Sequence, residues 1–260
     1  MKVLITGAAS GIGYGLAVKL IKHGHKVYLC VHNENEIRAV IDKTKGIEDE
    51  DRISVIKLDV TSEVDRKLIK KLDVDCLVTM AAIGCGGSLL NMNVSDIRNN
   101  FETNFFSTLE LIKLYIETRS YKKGKVVVVS SMAGMFSIPF LGSYCSTKAA
   151  LSSFIVCLHR EIKYSNLLVN IKLIEPGAYK TGFNQFMIDG KNELDNKHFI
   201  KPMKDISNMQ RKQFDIVESK NLDTIVRKMY RAILSDSNKL VYRAPIFQQV
   251  VFKLYTLFVK

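Results

Sequence analysis

The amino-acid sequence predicts an α/β protein built on a single doubly wound parallel sheet of about seven strands, with helices on both faces. Short runs rich in valine, isoleucine and leucine recur along the 260 residues, and they are continuous instead of alternating with polar residues. Strands that are buried on both faces require such runs. Segments with helical spacing separate the runs, and this alternation favours right-handed β-α-β units.

The predicted elements follow one another at regular intervals. KVLIT (2–6) and KVYLCV (26–31) predict the first two strands, with a helix at 11–24 between them. A polar stretch at 33–44 predicts the next helix. The remaining strands are predicted at RISVIKLDV (52–60), VDCLVTM (74–80), GKVVVVS (124–130), LLVNIKLI (167–174) and KLVY (239–242).

The chain is interpreted as one domain, 1–260, because no linker rich in proline and glycine and no internal repeat divides it. The interval 183–221 breaks the alternation of strands and helices. It is polar but carries several phenylalanines and methionines, so we expect an insertion that covers a binding site. Residues 246–260 repeat apolar side chains at helical spacing, which predicts an amphipathic C-terminal helix.

Composition limits the classes of partner. The net charge is +12, but the basic residues are scattered among acids, which favours a solvated surface over a nucleic-acid partner. The five cysteines form no C-x-x-C pair, so they suit reduced thiols, and no metal site is expected. The chain opens on a strand-like run, and no stretch approaches the ~18 apolar residues of a membrane span. We therefore expect a cytoplasmic protein.

The first predicted strand runs into the glycine-rich loop TGAASGIGYG. Gly7, Gly11 and Gly13 permit a tight turn, a close approach of the backbone to a pyrophosphate and close helix–strand packing. Because the loop follows a strand and opens a helix, it predicts dinucleotide binding. Ser10 and Ile12 lie in the same turn and belong to the predicted cofactor site.

The end of the second predicted strand bears on the type of dinucleotide. An acid at this point binds the ribose hydroxyls of NAD, whereas its absence together with basic groups admits the phosphate of NADP. Val31 and His32 stand there, without a carboxylate. His32 either contacts the phosphate or simply starts a loop. The pattern favours NADP(H) over NAD(H).

Several motifs together resemble the short-chain dehydrogenase/reductase family over about residues 2–182. They are the spacing T-G-x-x-x-G-x-G, LDV (58–60), FETNFFST (101–108), SSMAGMFSIPFLGSYCSTKAAL (130–151) and EPGAYKT (175–181). The resemblance implies a Rossmann-like fold and an NAD(P)-dependent oxidoreductase. The segment 131–148 looks most like hydroxysteroid and retinol-type members.

The resemblance implies four catalytic residues, namely Asn104, Ser131, Tyr144 and Lys148. A helix would turn Tyr144 and Lys148, four residues apart, into one cleft, where the lysine cation lowers the pKa of the phenol from its usual value of about 10. Ser131, thirteen residues before Tyr144, can donate a hydrogen bond to a substrate oxygen. In the family, the lysine also binds the cofactor ribose, and Asn104 holds a water that links Lys148 to solvent.

The resemblance extends to further cofactor residues. Asp59 would meet the adenine with Val60 beside it, and the nicotinamide end would be held by Pro176, Gly177 and Thr181. One motif departs from the family, because N-N-A-G reads Thr79-Met80-Ala81-Ala82. We expect Thr79 and the backbone to compensate in part for the lost asparagines, and Thr79 and Ala81 are included in the cofactor site.

A second tyrosine and lysine share the spacing of the catalytic pair. Tyr121 and Lys125 also stand four residues apart, but they bracket Gly124 at a turn before a strand. No serine stands thirteen residues before Tyr121. The sequence therefore predicts no catalysis by this pair.

The predicted function is the interconversion of an alcohol and a ketone or aldehyde by hydride transfer, on an apolar substrate that the insertion 183–221 covers. Two alternatives stay open: a non-catalytic NAD(P)-binding sensor or scaffold, and a 3-oxoacyl-carrier-protein reductase. The family implies a homodimer or homotetramer. The apolar stripe of the C-terminal helix favours packing against protein over contact with a membrane surface.

Overall fold

A computed structural model describes residues 1–47, 50–119, 121–190 and 202–251 of the chain. Within these ranges the strands form one sheet, in which all neighbouring strands are parallel. They are β1 (Lys2–Thr6), β2 (Lys26–Val31), β3 (Ile53–Lys57), β4 (Cys76–Thr79), β5 (Gly124–Val129), β6 (Val169–Pro176) and β7 (Val241–Ala244). The spatial order β3-β2-β1-β4-β5-β6-β7 confirms the predicted fold class.

Helices connect the strands and cover both faces of the sheet. They are α1 (Gly11–Ile21), α2 (Glu34–Thr44), α3 (Glu63–Arg66), α4 (Val94–Phe101), α5 (Ser107–Glu117), α6 (Gly142–Ile162), α7 (Phe183–Asp189), α8 (Met203–Val217) and α9 (Asp223–Leu234). A π-helical turn, Glu102–Phe106, joins α4 to α5. Residues 246–251 are also helical.

The two faces of the sheet build two hydrophobic clusters, as the continuous apolar strands predict. In β5, Val127 belongs to the cluster that includes the buried faces of α1 and α9. Its neighbour Val126 belongs to the cluster formed with α5 and α6. Successive strand residues point to opposite faces, so a strand between two helical layers needs an apolar residue at every position.

Three predicted segments differ from the observed elements or extend past the described residues. The third strand is shorter than predicted, since β3 ends at Lys57 and leaves Asp59 in the loop beyond it. The irregular interval 183–221 contains α7 and α8, and residues 191–201 of it lie outside the described residues. The predicted C-terminal helix is helical at 246–251, whereas 252–260 lie outside the described residues. None of the helices within the described ranges combines the length and apolar character needed to cross a bilayer.

Candidate active site

A cleft of about 1230 Å³ opens at the carboxyl edge of the sheet. Strand order reverses between β1 and β4, and clefts that bind ligands in open α/β sheets form at such a point. Most of the predicted site residues line this cleft: Gly7, Ser10, Gly11, Ile12, Gly13, His32, Asp59, Val60, Ala81, Ser131, Tyr144, Lys148, Pro176, Gly177 and Thr181. Thr79 and Asn104 are buried behind the lining.

The glycine-rich loop forms a cradle that only glycine can build. Gly7 has a φ of +68°, and a Cβ there would lie 2.8 Å from the Ala81 Cα. A Cβ on Gly13 would lie 2.5 Å from the Gly7 carbonyl oxygen. Ser10 precedes α1 with an extended backbone, and its side chain does not cap the helix. The first turn of α1 therefore offers its backbone N–H groups to the cleft, which fits a pyrophosphate.

Thr6, and not Thr79, braces the loop that lacks the family's asparagines. The Thr6 hydroxyl oxygen accepts hydrogen bonds from the backbone N–H groups of Met80 and Ala81, at 3.0 and 3.1 Å. The hydroxyl of Thr79 is buried and has no hydrogen-bond partner. The expectation that the Thr79 side chain compensates is therefore wrong, because its hydroxyl bonds neither loop amide and the residue does not line the cleft. In the sequence, the role of Thr6 is indicated only by a hydroxyl-bearing residue at the end of β1.

The end of the cleft beside β2 holds an acid that sequence reasoning missed. The backbone N–H of His32 donates to the Glu36 carboxylate at 2.8 Å. Asn33 caps α2 by accepting from the Glu36 N–H at 3.0 Å, which brings the Glu36 side chain back toward the strand end. Glu36 lines the cleft together with His32 and Asp59. Sequence reasoning missed this acid because it considered only the end of the second strand, at Val31 and His32, and Glu36 stands four residues after His32.

Asp59 adds a second carboxylate at this end. Its oxygen lies 3.5 Å from the His32 Nε2. Burial opposes ionisation of Asp59, but hydrogen bonds from Thr61 and the nearby His32 outweigh it, so the pKa of the carboxyl is lowered. The predicted phosphate ligand His32 is thus flanked by two acids.

Tyr144 and Ser131 meet at the opposite end of the cleft. Tyr144 lies in the first turn of α6, and its ring packs against Phe183 at 5.5 Å between centroids. Ser131 follows β5 with an extended backbone and accepts from the Ala133 N–H at 3.1 Å. Burial raises the pKa of the Tyr144 phenol above its usual range, and a hydrogen bond with the Ser131 side chain acts in the opposite direction.

Lys148 lies one helical turn after Tyr144 and is also buried. Its ammonium nitrogen lies 5.8 Å from the centre of the Tyr144 ring and donates to the Val129 carbonyl at 3.2 Å. Burial lowers the pKa of the Lys148 ammonium to about 8. The helix thus turns both groups into the cleft, as the spacing predicts.

The adjacent serines 130 and 131 have different surroundings. The Ser130 hydroxyl donates to the Lys148 carbonyl at 2.9 Å and accepts from the Ser152 hydroxyl at 2.8 Å. Ser130 therefore ties α6 to β5. Ser131 is the serine whose hydroxyl faces Tyr144.

Asn104 lies in the π-helical turn between α4 and α5 and is fully buried. Its amide oxygen accepts from the Ile83 N–H, and its amide nitrogen donates to the Ile83 carbonyl, both at 2.8 Å. The nitrogen also donates to the Thr147 hydroxyl at 3.1 Å. Asn104 thus joins the loop after β4 to the helix that carries Tyr144 and Lys148.

A second buried amide repeats this arrangement one turn earlier. Asn100 donates to the Ser143 hydroxyl at 2.6 Å, and both side chains are buried. Asn100 and Asn104 are four residues apart, as are their partners Ser143 and Thr147. Two polar pairs therefore fix α6 against α4 and the π-helical turn, on either side of Tyr144. Sequence reasoning missed Asn100 because the family motif contains only Asn104.

Gln248 supports the segment predicted to hold the nicotinamide end. The side chain is fully buried and forms two hydrogen bonds with the backbone of Ala178, at 2.7 and 2.9 Å. It also donates to the Val217 carbonyl at 2.8 Å. A Cβ on Gly177 would collide with the Gln248 amide. Gln248 lies about seventy residues away in sequence, so no local motif indicates it.

The remaining wall of the cleft is mainly apolar. It comes from the loop after β5, from α7 and α8, and from the helical segment 246–251. Its large apolar members are Phe136, Ile138, Phe140, Leu141, Phe183, Phe186, Met187, Met209, Phe214, Val217 and Val251.

The fold and the cleft define the class of the protein, an α/β protein with a doubly wound parallel sheet and a ligand-sized cleft at the switch point of the strand order. The family model described as "short chain dehydrogenase" matches residues 1–192, well over half of the chain. The chain therefore belongs to the short-chain dehydrogenase/reductase family and is an enzyme of that family, which confirms the resemblance.

Curated relatives are moderately similar. The probable short-chain type dehydrogenase/reductase VdlC of Helicobacter pylori is 28% identical, over 76% of this chain and 72% of that protein. The 3-ketodihydrosphingosine reductase of Bacteroides thetaiotaomicron is 28% identical, over 80% of this chain and 77% of that protein. Human retinol dehydrogenase 8 is 31% identical, over 70% of this chain and 60% of that protein.

Solved structures share the fold. A short chain dehydrogenase/reductase from Burkholderia phymatum in complex with NAD has a TM-score of 0.81 at 19% identity, covering 97% of this chain and 92% of that chain. A short-chain dehydrogenase from Streptomyces avermitilis has a TM-score of 0.78 at 23% identity, covering 98% and 92%. At these identities the likeness shows the fold alone.

Proposed function

We propose that the protein interconverts an apolar alcohol and its ketone or aldehyde, with a nicotinamide dinucleotide as the hydride carrier. The observation that carries the proposal is the meeting of Ser131, Tyr144 and Lys148 in the same cleft as the glycine cradle. A dinucleotide with its pyrophosphate in the cradle would direct its nicotinamide end toward these three side chains.

The dinucleotide supplies or accepts a hydride when it is bound. The cradle of Gly7, Gly11 and Gly13 would hold its pyrophosphate, and Asp59 and Val60 would contact the adenine. Pro176, Gly177 and Thr181 would hold the nicotinamide end. Solved structures of the same fold in complex with NAD and with NADP support this assignment.

Tyr144 is the general acid and base. In the reducing direction the phenol donates its proton to the carbonyl oxygen of the substrate, and in the oxidising direction the phenolate removes the proton of the alcohol. Burial alone makes the phenolate costly. A positive charge beside the ring offsets this cost, and the Lys148 ammonium provides it.

Ser131 and Asn104 position the reacting groups. The Ser131 hydroxyl hydrogen-bonds the substrate oxygen and stabilises the charge that develops on it. Asn104 holds the loop at Ile83 and the helix at Thr147 in register. The water that would link Lys148 to solvent through Asn104 stays a prediction of the family resemblance.

The apolar wall supports an apolar substrate. Phenylalanine and methionine side chains of α7 and α8 face the end of the cleft that holds Tyr144. A hydrocarbon substrate would bury its surface against them and gain the usual free energy of apolar burial. Two relatives are named for a ketodihydrosphingosine and for retinol, both of which carry long apolar chains.

The finer choice of cofactor is a modest preference for NADP(H). Val31 leaves the strand end without a carboxylate, and His32 faces the cleft, which favours the additional phosphate of NADP. The Glu36 carboxylate opposes that phosphate at short range, which reduces the preference. A homodimer or homotetramer in the cytoplasm is proposed on the family resemblance and on the free cysteines.

Steady-state oxidation of NADPH and NADH against a panel of apolar ketones, aldehydes and a 3-oxoacyl thioester tests the proposal. Tyr144→Phe removes only the acidic hydroxyl, so we expect kcat to fall by roughly 10²–10⁴-fold. Tyr121→Phe is the matched control, since Tyr121 is an exposed tyrosine with the same spacing to a lysine, and it should retain full activity.

The outcomes separate the candidate functions. Turnover of apolar ketones that is lost in Tyr144→Phe supports the proposal. Turnover confined to the 3-oxoacyl thioester would indicate the acyl-carrier-type reductase. Cofactor binding without turnover on any member of the panel would indicate a sensor or scaffold.

A further inference from the structure

The helical segment 246–251 buries a polar side chain and exposes apolar ones, the reverse of an ordinary surface helix. Its glutamine, Gln248, is fully buried and hydrogen-bonded, whereas Ile246 is 71% exposed. Phe247, Val250 and Val251 are about half exposed as well. A helix that faces water normally buries its apolar stripe and exposes its polar residues. The hydrogen bonds of Gln248 fix this inverted orientation, because they anchor the segment to Ala178 and Val217.

Other elements at the mouth of the cleft also expose apolar side chains. Phe186 of α7 is 69% exposed, and Ile216 near the end of α8 is 83% exposed. Met209 stands two helical turns before Ile216, so the two lie on one side of α8. We call the exposed set the apolar rim: Phe186, Met209, Ile216, Ile246, Phe247, Val250 and Val251.

The apolar rim is continuous with the cleft. Phe186, Met209 and Val251 come from three separate elements, and all three line the cleft while remaining exposed. The bond from Gln248 to the Val217 carbonyl places the segment 246–251 beside the end of α8, where Ile216 is exposed. Contiguous apolar surface of this kind marks an interaction site.

Basic residues border the apolar rim. Arg227, Lys228 and Arg231 of α9 share a depression of about 440 Å³ with Ile246 and Phe247. Between residues 202 and 251 the chain has nine lysines and arginines and five acids.

We propose that the apolar rim docks on the surface of a bilayer that contains anionic lipids, with the mouth of the cleft opening toward the membrane. Apolar side chains enter the boundary between headgroups and acyl chains, and the cations of α9 approach the anionic headgroups. A second copy of the chain suits this surface less well, because a two-fold contact through the rim would bring the basic residues of α9 at its border close to the same residues of the other copy.

The proposal goes beyond the proposed reaction and does not rest on it. It is carried by the exposure of the rim and the charge beside it, and binding to vesicles can be measured without turnover. Failure of the proposed reaction would leave vesicle binding unchanged, and failure of vesicle binding would leave turnover of a short soluble ketone unchanged.

Co-sedimentation of the full chain with vesicles tests the docking surface. One set of vesicles is phosphatidylcholine alone, and the other also contains phosphatidylglycerol. We expect binding to the anionic vesicles that weakens as salt is raised. The double variant Ile216→Glu with Phe247→Glu changes two rim residues outside the cleft lining and should weaken binding by about tenfold or more.

The matched control is the double variant Val64→Glu with Tyr164→Glu. Both side chains are strongly exposed, but Val64 lies on α3, which packs against α5, and Tyr164 lies in the turn before β6 at the amino edge of the sheet. This control adds the same two charges far from the rim and should bind as well as the wild type after correction for net charge. Circular dichroism and turnover of a short soluble ketone verify that both variants are folded.

Three outcomes would overturn the proposal. The wild type fails to bind either kind of vesicle, or both double variants lose binding equally, or binding is independent of anionic lipid and of salt. Light scattering adds a fourth, in which the rim variant dissociates an oligomer that the control variant keeps. That outcome would assign the rim to contact between copies of the chain.

Discussion

The chain contains two tyrosine–lysine pairs with identical spacing and opposite surroundings. Tyr144 and Lys148 lie on α6, both buried, and both line the cleft. Tyr121 lies in the turn before β5 and is 96% exposed, whereas Lys125 is buried within the strand. The four-residue gap therefore carries meaning only where one helix spans it.

The two buried lysines differ further in their partners. The Lys148 ammonium donates to one carbonyl, that of Val129, and its pKa is lowered to about 8 by burial. The Lys125 ammonium donates to the Ile233 and Ser235 carbonyls at the end of α9 and to the Asp236 carboxylate. A fully paired cation at a helix C-terminus stabilises the fold. A buried cation with few partners is costly to the fold, which is common at functional sites.

Replacing each lysine by methionine gives the largest expected contrast. In Lys148→Met the phenolate loses its neighbouring cation, so we expect kcat/KM to fall by roughly 10²–10⁴-fold. In Lys125→Met three acceptors lose their donor, so we expect the free energy of unfolding to fall by about 2–4 kcal/mol with activity retained. Steady-state kinetics and urea unfolding on both variants measure the two effects.

Each lysine variant serves as the control for the other. If Lys125→Met lost turnover while its folded fraction was unchanged, the distinction between the two pairs would be wrong. A Lys148→Met protein that kept its activity but unfolded readily would point to the same error.

The pH dependence of stability sharpens the contrast between the lysines. The folded-state pKa of Lys148, about 8, lies below the ordinary value of 10.5. The cation therefore destabilises the fold fully below pH 8, and this cost disappears as the pH rises toward 10.5. Relative to Lys148→Met, the wild type should gain up to about 3 kcal/mol across that window. A difference between the two proteins that stays constant with pH would contradict the lowered pKa.

The two threonines at the ends of β1 and β4 form a comparable pair with a smaller expected effect. Thr6→Val leaves the backbone N–H groups of Met80 and Ala81 without their acceptor, which should cost about 1–3 kcal/mol of unfolding free energy. Thr79→Val removes a buried hydroxyl that has no partner, so we expect a neutral or stabilising change. Urea unfolding of both variants measures the two changes in unfolding free energy. Equal destabilisation by the two substitutions would refute the assignment of the brace to Thr6.

Sequence predicted the fold well because the determining pattern is local. A continuous apolar run such as 124–129 in β5 specifies a strand buried on both faces, wherever it pairs. The spacing of Tyr144 and Lys148 is likewise local, since one helix converts it into a shared direction.

Residues that act across long stretches of chain escaped prediction. Gln248 supports the segment that follows Gly177 from seventy residues farther along the chain, and the partner of Asn100 is more than forty residues away. Glu36 reaches the cleft only because a cap at Asn33 sets the start of α2. Such contacts depend on how elements pack, and no local periodicity records them.

The smallest expected effect concerns the acid beside His32. Glu36→Gln keeps the size of the side chain and removes the charge that opposes the additional phosphate of NADP, so we expect KM for NADPH to fall by about three- to tenfold. KM for NADH should change little, because that cofactor places no phosphate there. Glu34→Gln is the matched control, because Glu34 stands two residues earlier on the same helix and is exposed to solvent. A fall in both KM values, or an equal response in Glu34→Gln, would show that general surface charge and not the position of Glu36 sets the preference.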